Sequence, residues 1–437
     1  MSNDPIHALP ADRRDFLRAG AALFTTSLFT GRIRGANDRI RVGYIGMGKQ
    51  GRDNMKAFKA VETIEPAAVC DVYERNLDWG SQISKGVKTH HDFREVLADK
   101  SIDAVCISTP DHWHAYMTVE ACKAGKDVYV EKPISLTVAE GAEMVAAARK
   151  YSRVVQAGTW QRSTAHFRQA ADIVKSGQLG KIAVVQTWNA GNSKQEGIGN
   201  PPDSDAPAEL DWDMWLGPAP KRPFNANRFG VDPQDHYFSN FRWFWDYAGG
   251  MMTDWGVHLL DIVQMANGEE MPKTITGLGG KYWFTDNRET PDTIHVTYEY
   301  PSGFVATYEN RNNNALSVLD KNYGILFLGQ KASLFVDRQG FRVIPEKGSD
   351  VPKQEVKVNG NGHHAHWTNF AECIKTRQKP NSDIENCQRS TTTCLLGNVA
   401  YRSKTRLDFD ASTWQISQSE AQPLLKYEYR SPWKLEV

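Results

Sequence analysis

Short apolar runs alternate with amphipathic segments from Arg39 to about residue 160. The apolar runs predict strands at Ile40–Ile45, Pro66–Cys70, Ala104–Ser108, Val128–Glu131 and Val154–Ala157. Helical patterns lie between them, for example HAYMTVEACKAG and VAEGAEMVAAARKY. Strands that alternate with helices in this way favour a parallel sheet covered by helices on both faces.

The pattern changes after Thr159, where longer strand-like runs follow one another. These runs are IAVVQTWNA, TIHVTYEYPSGFVATYEN and YGILFLGQKASLFVD, and the second contains a hairpin turn at Pro301-Ser302-Gly303. Two helical patterns come near the C-terminus, HWTNFAECIKTRQ and QRSTTTCLLGNVAYRS. We expect an α+β domain with an antiparallel sheet and helices on one side. The expected divisions of the chain are 1–36, 37–160 and 161–437.

The N-terminal segment has the features of an export signal. Arg13 and Arg14 precede Phe16-Leu17 and a mildly apolar run that is too short, and too rich in Thr, Ser and Gly, to stay in a bilayer. The pattern resembles a twin-arginine signal peptide, which carries folded proteins across the membrane. The alternative is a disordered arm with a chance arginine pair. We expect residues 1–36 to be this signal and the protein to be periplasmic or otherwise extracytoplasmic, without a stable membrane anchor.

Composition excludes some partners. The 437 residues include 52 basic and 52 acidic side chains, so no excess of positive charge attracts nucleic acid or an anionic membrane surface. The 6 cysteines in a chain of this length give no small-domain disulfide framework. Pairing of Cys373 with Cys387 or Cys394 stays open.

A glycine-rich loop separates the first predicted strand from the helix that follows it. The sequence Gly46-Met47-Gly48-Lys49-Gln50-Gly51 matches G-x-G-x-x-G. In a dinucleotide site the first glycine permits the tight turn, the second lets the backbone approach a pyrophosphate, and the third lets helix and strand pack closely. Asp71 stands about 20 residues on, where a carboxylate accepts hydrogen bonds from ribose hydroxyls. We therefore predict a dinucleotide site that prefers NAD to NADP.

Two later strands end in polar residues that are expected at the same crevice, because ligands bind outside the carboxyl ends of such strands. The first group contains Thr109, Pro110, Asp111 and His114, and the second contains Glu131, Lys132 and Pro133. A zinc site at His112 and His114 lacks further ligands in the sequence, so no metal is expected.

The segment GGMMTDWGVHLLDIVQMANG, residues 249 to 268, carries the most informative polar pattern. A helix from Thr253 to Ala266 places Asp254, His258 and Asp261 at i, i+4 and i+7, on one face. Trp255, Leu259, Ile262 and Val263 form a separate apolar stripe. This polar stripe is unlike the Lys and Glu of the chain's other surfaces, which favours a functional role over an exposed polar face.

Together these motifs resemble the Gfo/Idh/MocA oxidoreductase family, over essentially the whole chain after the signal. The resemblance rests on the glycine loop with Asp71, STPDHWH, EKPIS, GTWQR and GGMMTDWGVHLLD. It implies an N-terminal Rossmann domain and a C-terminal α+β domain with a large open, mainly antiparallel sheet, assembled into homodimers or homotetramers. It also implies NAD(P)-linked oxidation of a ring hydroxyl on a sugar, glycoside or cyclitol.

The resemblance implies roles for individual residues. Lys132 donates to the substrate oxygen as alkoxide charge develops, His258 acts as general base or acid, and Asp254 binds the substrate hydroxyl or orients the imidazole. Pro133 fixes its turn, often after a cis peptide bond. The expected cofactor contacts are Gly46, Met47, Gly48, Lys49, Gln50, Gly51, Asp71, Thr109, Pro110, Asp111, His114, Glu131, Lys132 and Gln161.

Substrate contacts are expected from residues that suit a carbohydrate. Tryptophan faces stack on sugar rings, and Trp160, Trp188, Trp243 and Trp245 lie on segments that could face the cleft, although core packing is the alternative for each. The expected substrate-binding residues are Lys132, Arg162, Trp188, Asn189, Tyr237, Arg242, Asp254 and His258.

An exported NAD enzyme cannot rely on cytoplasmic partners to reoxidise a cofactor that dissociates. We therefore expect NAD to stay bound and to be restored in place, either by a second substrate or by the same one. The first expectation is a sugar oxidoreductase. The alternative is a glycoside hydrolase that oxidises a ring hydroxyl transiently, eliminates the anomeric substituent and then reduces the ketone again. A third reading is a non-catalytic, NAD-binding sugar sensor.

Overall fold

The computed structural model describes residues 39–191, 196–230 and 239–437. The expected signal peptide therefore lies outside the described residues. The first domain has strands β1 to β6 and helices α1 to α5. The strands are Ile40–Ile45, Ile64–Cys70, Lys88–His90, Ala104–Ile107, Asp127–Val130 and Val155–Ala157. The helices are Lys49–Lys59, Glu74–Ser81, Phe93–Ala98, Asp111–Lys123 and Val138–Lys150.

The six strands form one parallel sheet in the order β3-β2-β1-β4-β5-β6. The five strands predicted from the apolar runs are all present, with ends that differ by at most two residues. The chain order reverses between β1 and β4, and this reversal opens a crevice at the carboxyl ends of the strands. The missed strand β3 is short and lies at the sheet edge, with none of its residues buried, so it has no apolar run to reveal it.

The second domain carries helices α6 to α12 and strands β7 to β16. The helices are Ala165–Lys175, Trp212–Leu216, Ala226–Phe229, Gly250–Asp254, Gly256–Ala266, Gly362–Thr376 and Ile384–Ser403. The strands are Ile182–Ala190, Thr274–Gly280, Thr293–Glu299, Val305–Arg311, Tyr323–Gly329, Ala332–Asp337, Gly340–Pro345, Gln354–Lys357, Leu407–Asp410 and Gln415–Ile416.

These ten strands form a sheet in the order β14-β13-β12-β11-β7-β10-β9-β8-β15-β16. Every neighbouring pair is antiparallel except β7 and β10, which confirms the expected open, mainly antiparallel sheet. The predicted hairpin joins β9 to β10. Apolar side chains of α6, α10 and α12 pack on one face of this sheet and form the larger core, with Leu259, Val263 and Leu396 among them.

The helix predicted from Thr253 to Ala266 is two helices, so this prediction is corrected. Helix α9 ends at Asp254 and α10 begins at Gly256. The N–H of His258 donates to the carbonyl of Trp255, only three residues back, at 3.0 Å. The junction is thus wound more tightly than an α-helix. Asp254, His258 and Asp261 therefore do not share one face.

All 6 cysteines are free, so Cys373 forms no disulfide. Within the described residues, no helix combines the length and the apolar character that crossing a membrane requires.

Candidate active site

A cavity of about 490 Å³ opens at the carboxyl ends of the parallel strands. This volume lies within the range of small-molecule and cofactor sites. The glycine loop forms one end, and the loops after β4 and β5 form the floor. The junction of α9 and α10, together with the turn between β12 and β13, brings the second domain to the opposite wall.

The three loop glycines have different structural roles. Gly46 has φ +86, which favours glycine, and Gly51 packs so closely that a Cβ would lie 1.8 Å from the Gly46 carbonyl oxygen. A Cβ on Gly48 would meet no protein atom within 4 Å, because it would point into open space at the cavity. The loop thus keeps its backbone accessible at Gly48, as a bound pyrophosphate requires.

Asp71 closes the same end of the cavity. Its Oδ2 accepts a hydrogen bond from the Met47 N–H at 2.6 Å, and its Oδ1 accepts one from the Tyr73 N–H at 2.9 Å. Met47 itself is buried outside the cavity lining, so its contribution to the loop is this backbone bond. A carboxylate offers about four acceptor positions, so Oδ1 keeps capacity for a further donor. The residues at this end fit NAD.

NAD binding is expected to weaken about tenfold between pH 7 and pH 5. Burial raises the pKa of Asp71 to about 6, although bonds from Met47, Tyr73 and Asn76 oppose this. The raised pKa makes Asp71 destabilising for the fold above pH 6, and this contribution fades as the pH falls toward 4. The protonated carboxyl loses acceptor capacity for ribose hydroxyls. Titration of the apo-protein with NAD measures the effect, and Asp71→Asn should remove it. Equal pH dependence in both proteins would assign the effect to another group.

The loop after β4 supplies a buried carboxyl group and a histidine that holds two loops together. The ring nitrogens of His114 lie 2.7 Å from the Pro133 carbonyl oxygen and 2.8 Å from that of Thr109. Asp111 begins α4 and faces the cavity. Burial, and then the negative charge of Asp254, raise the pKa of Asp111 to about 8. At neutral pH this carboxyl therefore carries a proton.

Lys132 meets the second domain across the cavity. Its Nζ donates to Asp254 Oδ1 at 2.7 Å and to the Asp254 carbonyl oxygen at 2.8 Å. The Lys132–Pro133 peptide bond is cis, as the resemblance implied. Arg242 Nε lies 3.4 Å from the other carboxylate oxygen of Asp254. His258 lines the same cavity, so the sequence-predicted trio of Lys132, Asp254 and His258 meets in one place.

The charges around this trio set two protonation states. Burial raises the pKa of Asp254, but the charges of Lys132 and Arg242 outweigh burial and lower it to about 2. Burial, followed by the charges of Lys132 and Arg338, lowers the pKa of His258 well below its usual value. His258 Nδ1 is buried and has no hydrogen-bond partner among the described residues. At neutral pH the site thus holds an ionised carboxylate and a neutral imidazole that is able to accept a proton.

Most of the sequence-predicted contacts line the cavity. Those that line the cavity are Gly46, Gly48, Lys49, Gln50, Asp71, Thr109, Pro110, Asp111, His114, Glu131, Lys132, Arg242, Asp254 and His258. Gly51 and Gln161 support the lining from behind; the Gln161 side-chain amide donates to the His258 carbonyl oxygen at 2.9 Å. Tyr237 lies outside the described residues.

Trp188 and Asn189 lie away from the cavity, which corrects their interpretation as substrate contacts. Both are on β7, in the middle of the large sheet. The Trp188 indole N–H donates to the Lys321 carbonyl oxygen at 3.0 Å, and the Asn189 amide donates to Asn310 at 2.9 Å. The side-chain N–H groups of both residues thus bond within the sheet. Of the other tryptophans proposed for the cleft, Trp160 lines the cavity, whereas Trp243 and Trp245 do not.

Arg162 is likewise a structural residue and not a substrate contact. Its guanidinium is 3% exposed and pairs with Asp261 at 2.8 Å and with Glu269 at 2.6 Å. Asp261 also accepts a hydrogen bond from Ser390, so it faces the protein interior. Asp261, the third residue of the predicted polar stripe, thus joins α10 to the segment after β6 and to α12.

Replacing Arg162 with methionine is expected to lower the free energy of unfolding by about 3–5 kcal/mol, because it leaves buried carboxylates without their partner. Denaturant unfolding measures this loss. Arg168→Met, at an exposed position on α6, is the matched control and should change stability little. If Arg162→Met kept its stability and had a raised KM for substrate, Arg162 would bind substrate, as the sequence predicted.

Sequence reasoning missed several residues that line the cavity, among them Trp255, Arg338 and His363. Trp255 was assigned to an apolar stripe because a continuous helix was assumed. Arg338 comes from the turn after β12 and His363 from the first turn of α11. Neither lies in a motif, and only the packing of distant segments brings them to the site. A cluster of His, Cys, Asp or Glu suited to a metal does not occur in the part of the chain that the structure describes.

Two sequence-family models match this chain. The model described as "Oxidoreductase family, NAD-binding Rossmann fold" matches residues 40–159. The model described as "Oxidoreductase family, C-terminal alpha/beta domain" matches residues 163–435. The chain belongs to the Gfo/Idh/MocA oxidoreductase family. Its first domain is thus the NAD-binding Rossmann domain of a Gfo/Idh/MocA protein, in agreement with the glycine loop and Asp71.

Solved Gfo/Idh/MocA-like structures share this fold. The WlbA dehydrogenase from Bordetella pertussis, in complex with NADH and UDP-GlcNAcA, is 18% identical with a TM-score of 0.64, covering 85% of this chain and 99% of that one. The aldose-aldose oxidoreductase from Caulobacter crescentus, complexed with glycerol, is 21% identical with a TM-score of 0.64, covering 85% and 100%.

Sequence relatives match over a shorter stretch. A glycosyl hydrolase family 109 protein from Shewanella baltica is 36% identical over 122 residues, which is 26% of this chain and 27% of the relative. The chain spans less than half of the length of the first curated relatives it matches. These matches support the family. The substrate has to be inferred from the residues of the site.

Proposed function

We propose that this protein oxidises a ring hydroxyl of a sugar, glycoside or cyclitol with NAD. The observation that carries the proposal is the cluster of Lys132, Asp254 and His258 in the cavity that contains the glycine loop. An ammonium and a neutral imidazole suit the oxidation of an alcohol, because the reaction removes a proton from oxygen while negative charge develops there and a hydride leaves carbon.

The protein residues have separate tasks in this reaction. Bound NAD supplies the hydride acceptor at the nicotinamide C4. His258 takes the hydroxyl proton, because its lowered pKa keeps the imidazole unprotonated at neutral pH. Lys132 donates a hydrogen bond to the same oxygen as negative charge develops there. Asp254 holds the Lys132 ammonium in place at 2.7 Å. The alcohol loses one proton and one hydride and becomes a ketone.

The signal peptide expected at residues 1–36 adds a condition to the proposal. A protein exported in the folded state would carry its NAD with it and hold it through many turnovers. A second sugar or carbonyl compound would then take the hydride back, and we propose that this occurs in the periplasm in a homo-oligomer.

The test is to add sugars and cyclitols to purified, NAD-loaded protein and to follow the absorbance of reduced nicotinamide. The proposal predicts reduction by at least one ring polyol in the native protein and a rate at least ~100-fold lower in His258→Gln. Release of cofactor on denaturation checks that the variant still holds NAD. If no compound reduces NAD in a fully loaded protein, the proposal fails.

Redox-neutral glycoside hydrolysis is a second candidate, favoured by the buried, protonated carboxyl of Asp111. Oxidation of a ring hydroxyl by bound NAD acidifies the neighbouring C–H. His258 or a carboxylate of the cavity would take that proton as the anomeric substituent leaves, water would add to the double bond, and the ketone would take the hydride back from the reduced nicotinamide. Asp111 shares the cavity with Lys132 and Asp254 and carries a proton at neutral pH that a leaving group could take. The glycosyl hydrolase family 109 relative is consistent with this route. Release of an aglycone without net NADH formation, and its loss in Asp111→Asn, would favour this candidate.

A further inference from the structure

Arg338 lies in the turn between β12 and β13 and reaches the wall of the cavity. Three aromatic rings surround its guanidinium. The guanidinium carbon is 4.8 Å from the ring centre of Trp255, 5.2 Å from that of Trp160 and 5.9 Å from that of Tyr323. Aromatic faces orient a guanidinium and attract it without neutralising its charge.

The guanidinium has donors left for a ligand. Its Nε donates to the Gln161 side-chain oxygen at 3.2 Å. Neither Nη atom has a hydrogen-bond or ion-pair partner among residues 39–191, 196–230 and 239–437. An arginine presents five N–H donors in a planar fork, so four of them remain here. A fixed fork with open donors at a cavity wall suits a carboxylate or phosphate group.

The charge of the surrounding wall favours an anion as well. Lys132, Arg242 and Arg338 are cations around the carboxylate of Asp254. The neighbouring carboxyl of Asp111 does not offset this excess, because burial and the charge of Asp254 raise its pKa to about 8. Burial also lowers the pKa of His363, which faces Arg338. Arg338 is thus a cation at this wall to which no carboxylate is bonded among the described residues.

We propose that Arg338 binds an anionic substituent of the substrate, so that the substrates are acidic sugars. The inference rests on the proposed function, because it deepens the substrate class of the same site. A carboxylate on the ring and a phosphate ester share the chemistry that Arg338 recognises, and separate assays distinguish them.

The experiment compares kcat/KM of the NAD-loaded protein for a neutral hexose, the corresponding uronate and the corresponding 6-phosphate. At least one anionic sugar should be used ~100-fold better than the neutral sugar, as expected for a charge-assisted pair. Arg338→Gln should lose ~100-fold more in kcat/KM for the anionic sugar than for the neutral sugar, with this difference appearing in KM. Arg342→Gln, outside the cavity lining on β13, is the matched control and should behave as the native protein.

Binding without turnover separates this inference from the proposed function. Quenching of Trp160 and Trp255 fluorescence in the NADH-loaded protein reports uronate or sugar phosphate binding, since both rings lie beside Arg338. Binding that depends on Arg338 supports the inference even when no sugar reduces NAD. The absence of NAD reduction would contradict only the proposed function. Equal use of neutral and anionic sugars, or an equal loss of both in Arg338→Gln with NAD retained, would overturn the inference and leave the proposed function standing.

Discussion

Replacing Lys132 with methionine is expected to lower the rate of sugar oxidation by about 10³-fold while NAD stays bound, because one buried donor to a developing oxyanion contributes about 2.7–4 kcal/mol. Methionine is an unbranched side chain one atom shorter than lysine, and it removes the charge and the donor. Asp254 retains Arg242 as an ion-pair partner at 3.4 Å, so the substitution does not leave the carboxylate without a cation. Stopped-flow measurement of nicotinamide reduction gives the rate of the chemical step.

The control for this prediction is Lys123→Met on α4. Lys123 is exposed and pairs with Glu120 away from the cavity, so its loss should change neither rate nor cofactor content. A Lys132→Met protein that oxidises sugar at the native rate would show that another donor faces the reacting oxygen. A variant that loses NAD would mean that Lys132 acts in cofactor binding and not in the chemical step.

The second large effect is expected from a pair of glycine substitutions in the same loop. In Gly51→Ala the new Cβ would lie 1.8 Å from the Gly46 carbonyl oxygen, which forces β1 and α1 apart. We expect a loss of about 3 kcal/mol or more in the free energy of unfolding, at the upper end of the cost of overpacking, together with loss of NAD.

Gly48→Ala should have the opposite profile. The added Cβ meets no protein atom within 4 Å, and the backbone at Gly48 has φ −58, which alanine adopts readily. The fold should keep its stability, whereas NAD affinity should fall at least ~10-fold because the methyl group occupies the approach to the pyrophosphate. Thermal unfolding with and without NAD distinguishes the two variants. Tight NAD binding by a stable Gly48→Ala protein would contradict the assignment of this loop.

Much of the first domain could be predicted because its signals are local. The buried strands are continuous apolar runs, and parallel strands bring the residues that follow them to one edge of the sheet. The sequence therefore indicated that Asp71, Thr109, Asp111 and Lys132 share a crevice. The glycine loop was predictable for the same reason, since a few adjacent residues determine its shape.

The second domain's contribution was harder to predict because it depends on long-range packing. Periodicity alone predicts one helix over this segment, but the structure has two helices that meet at Trp255. As a result Asp254 and His258 face the cavity, whereas Asp261 contacts Arg162. Arg338 reaches the site from a turn whose sequence, DRQG, is typical of any hairpin. The charge of Arg162 and its place after the last parallel strand suggested substrate binding. The structure shows that Arg162 is instead the buried partner of Asp261 and Glu269.

The central claim is that Lys132, Asp254 and His258 form the site where hydride leaves a sugar carbon for bound NAD. A single turnover with a sugar deuterated at each ring carbon in turn, followed by mass spectrometry of the released cofactor, tests it most directly. The account predicts one deuterium on the nicotinamide ring for one labelled position, and none in Lys132→Met within the same time. A sugar that is converted to product by the NAD-loaded protein with no label on the nicotinamide from any ring position would contradict it.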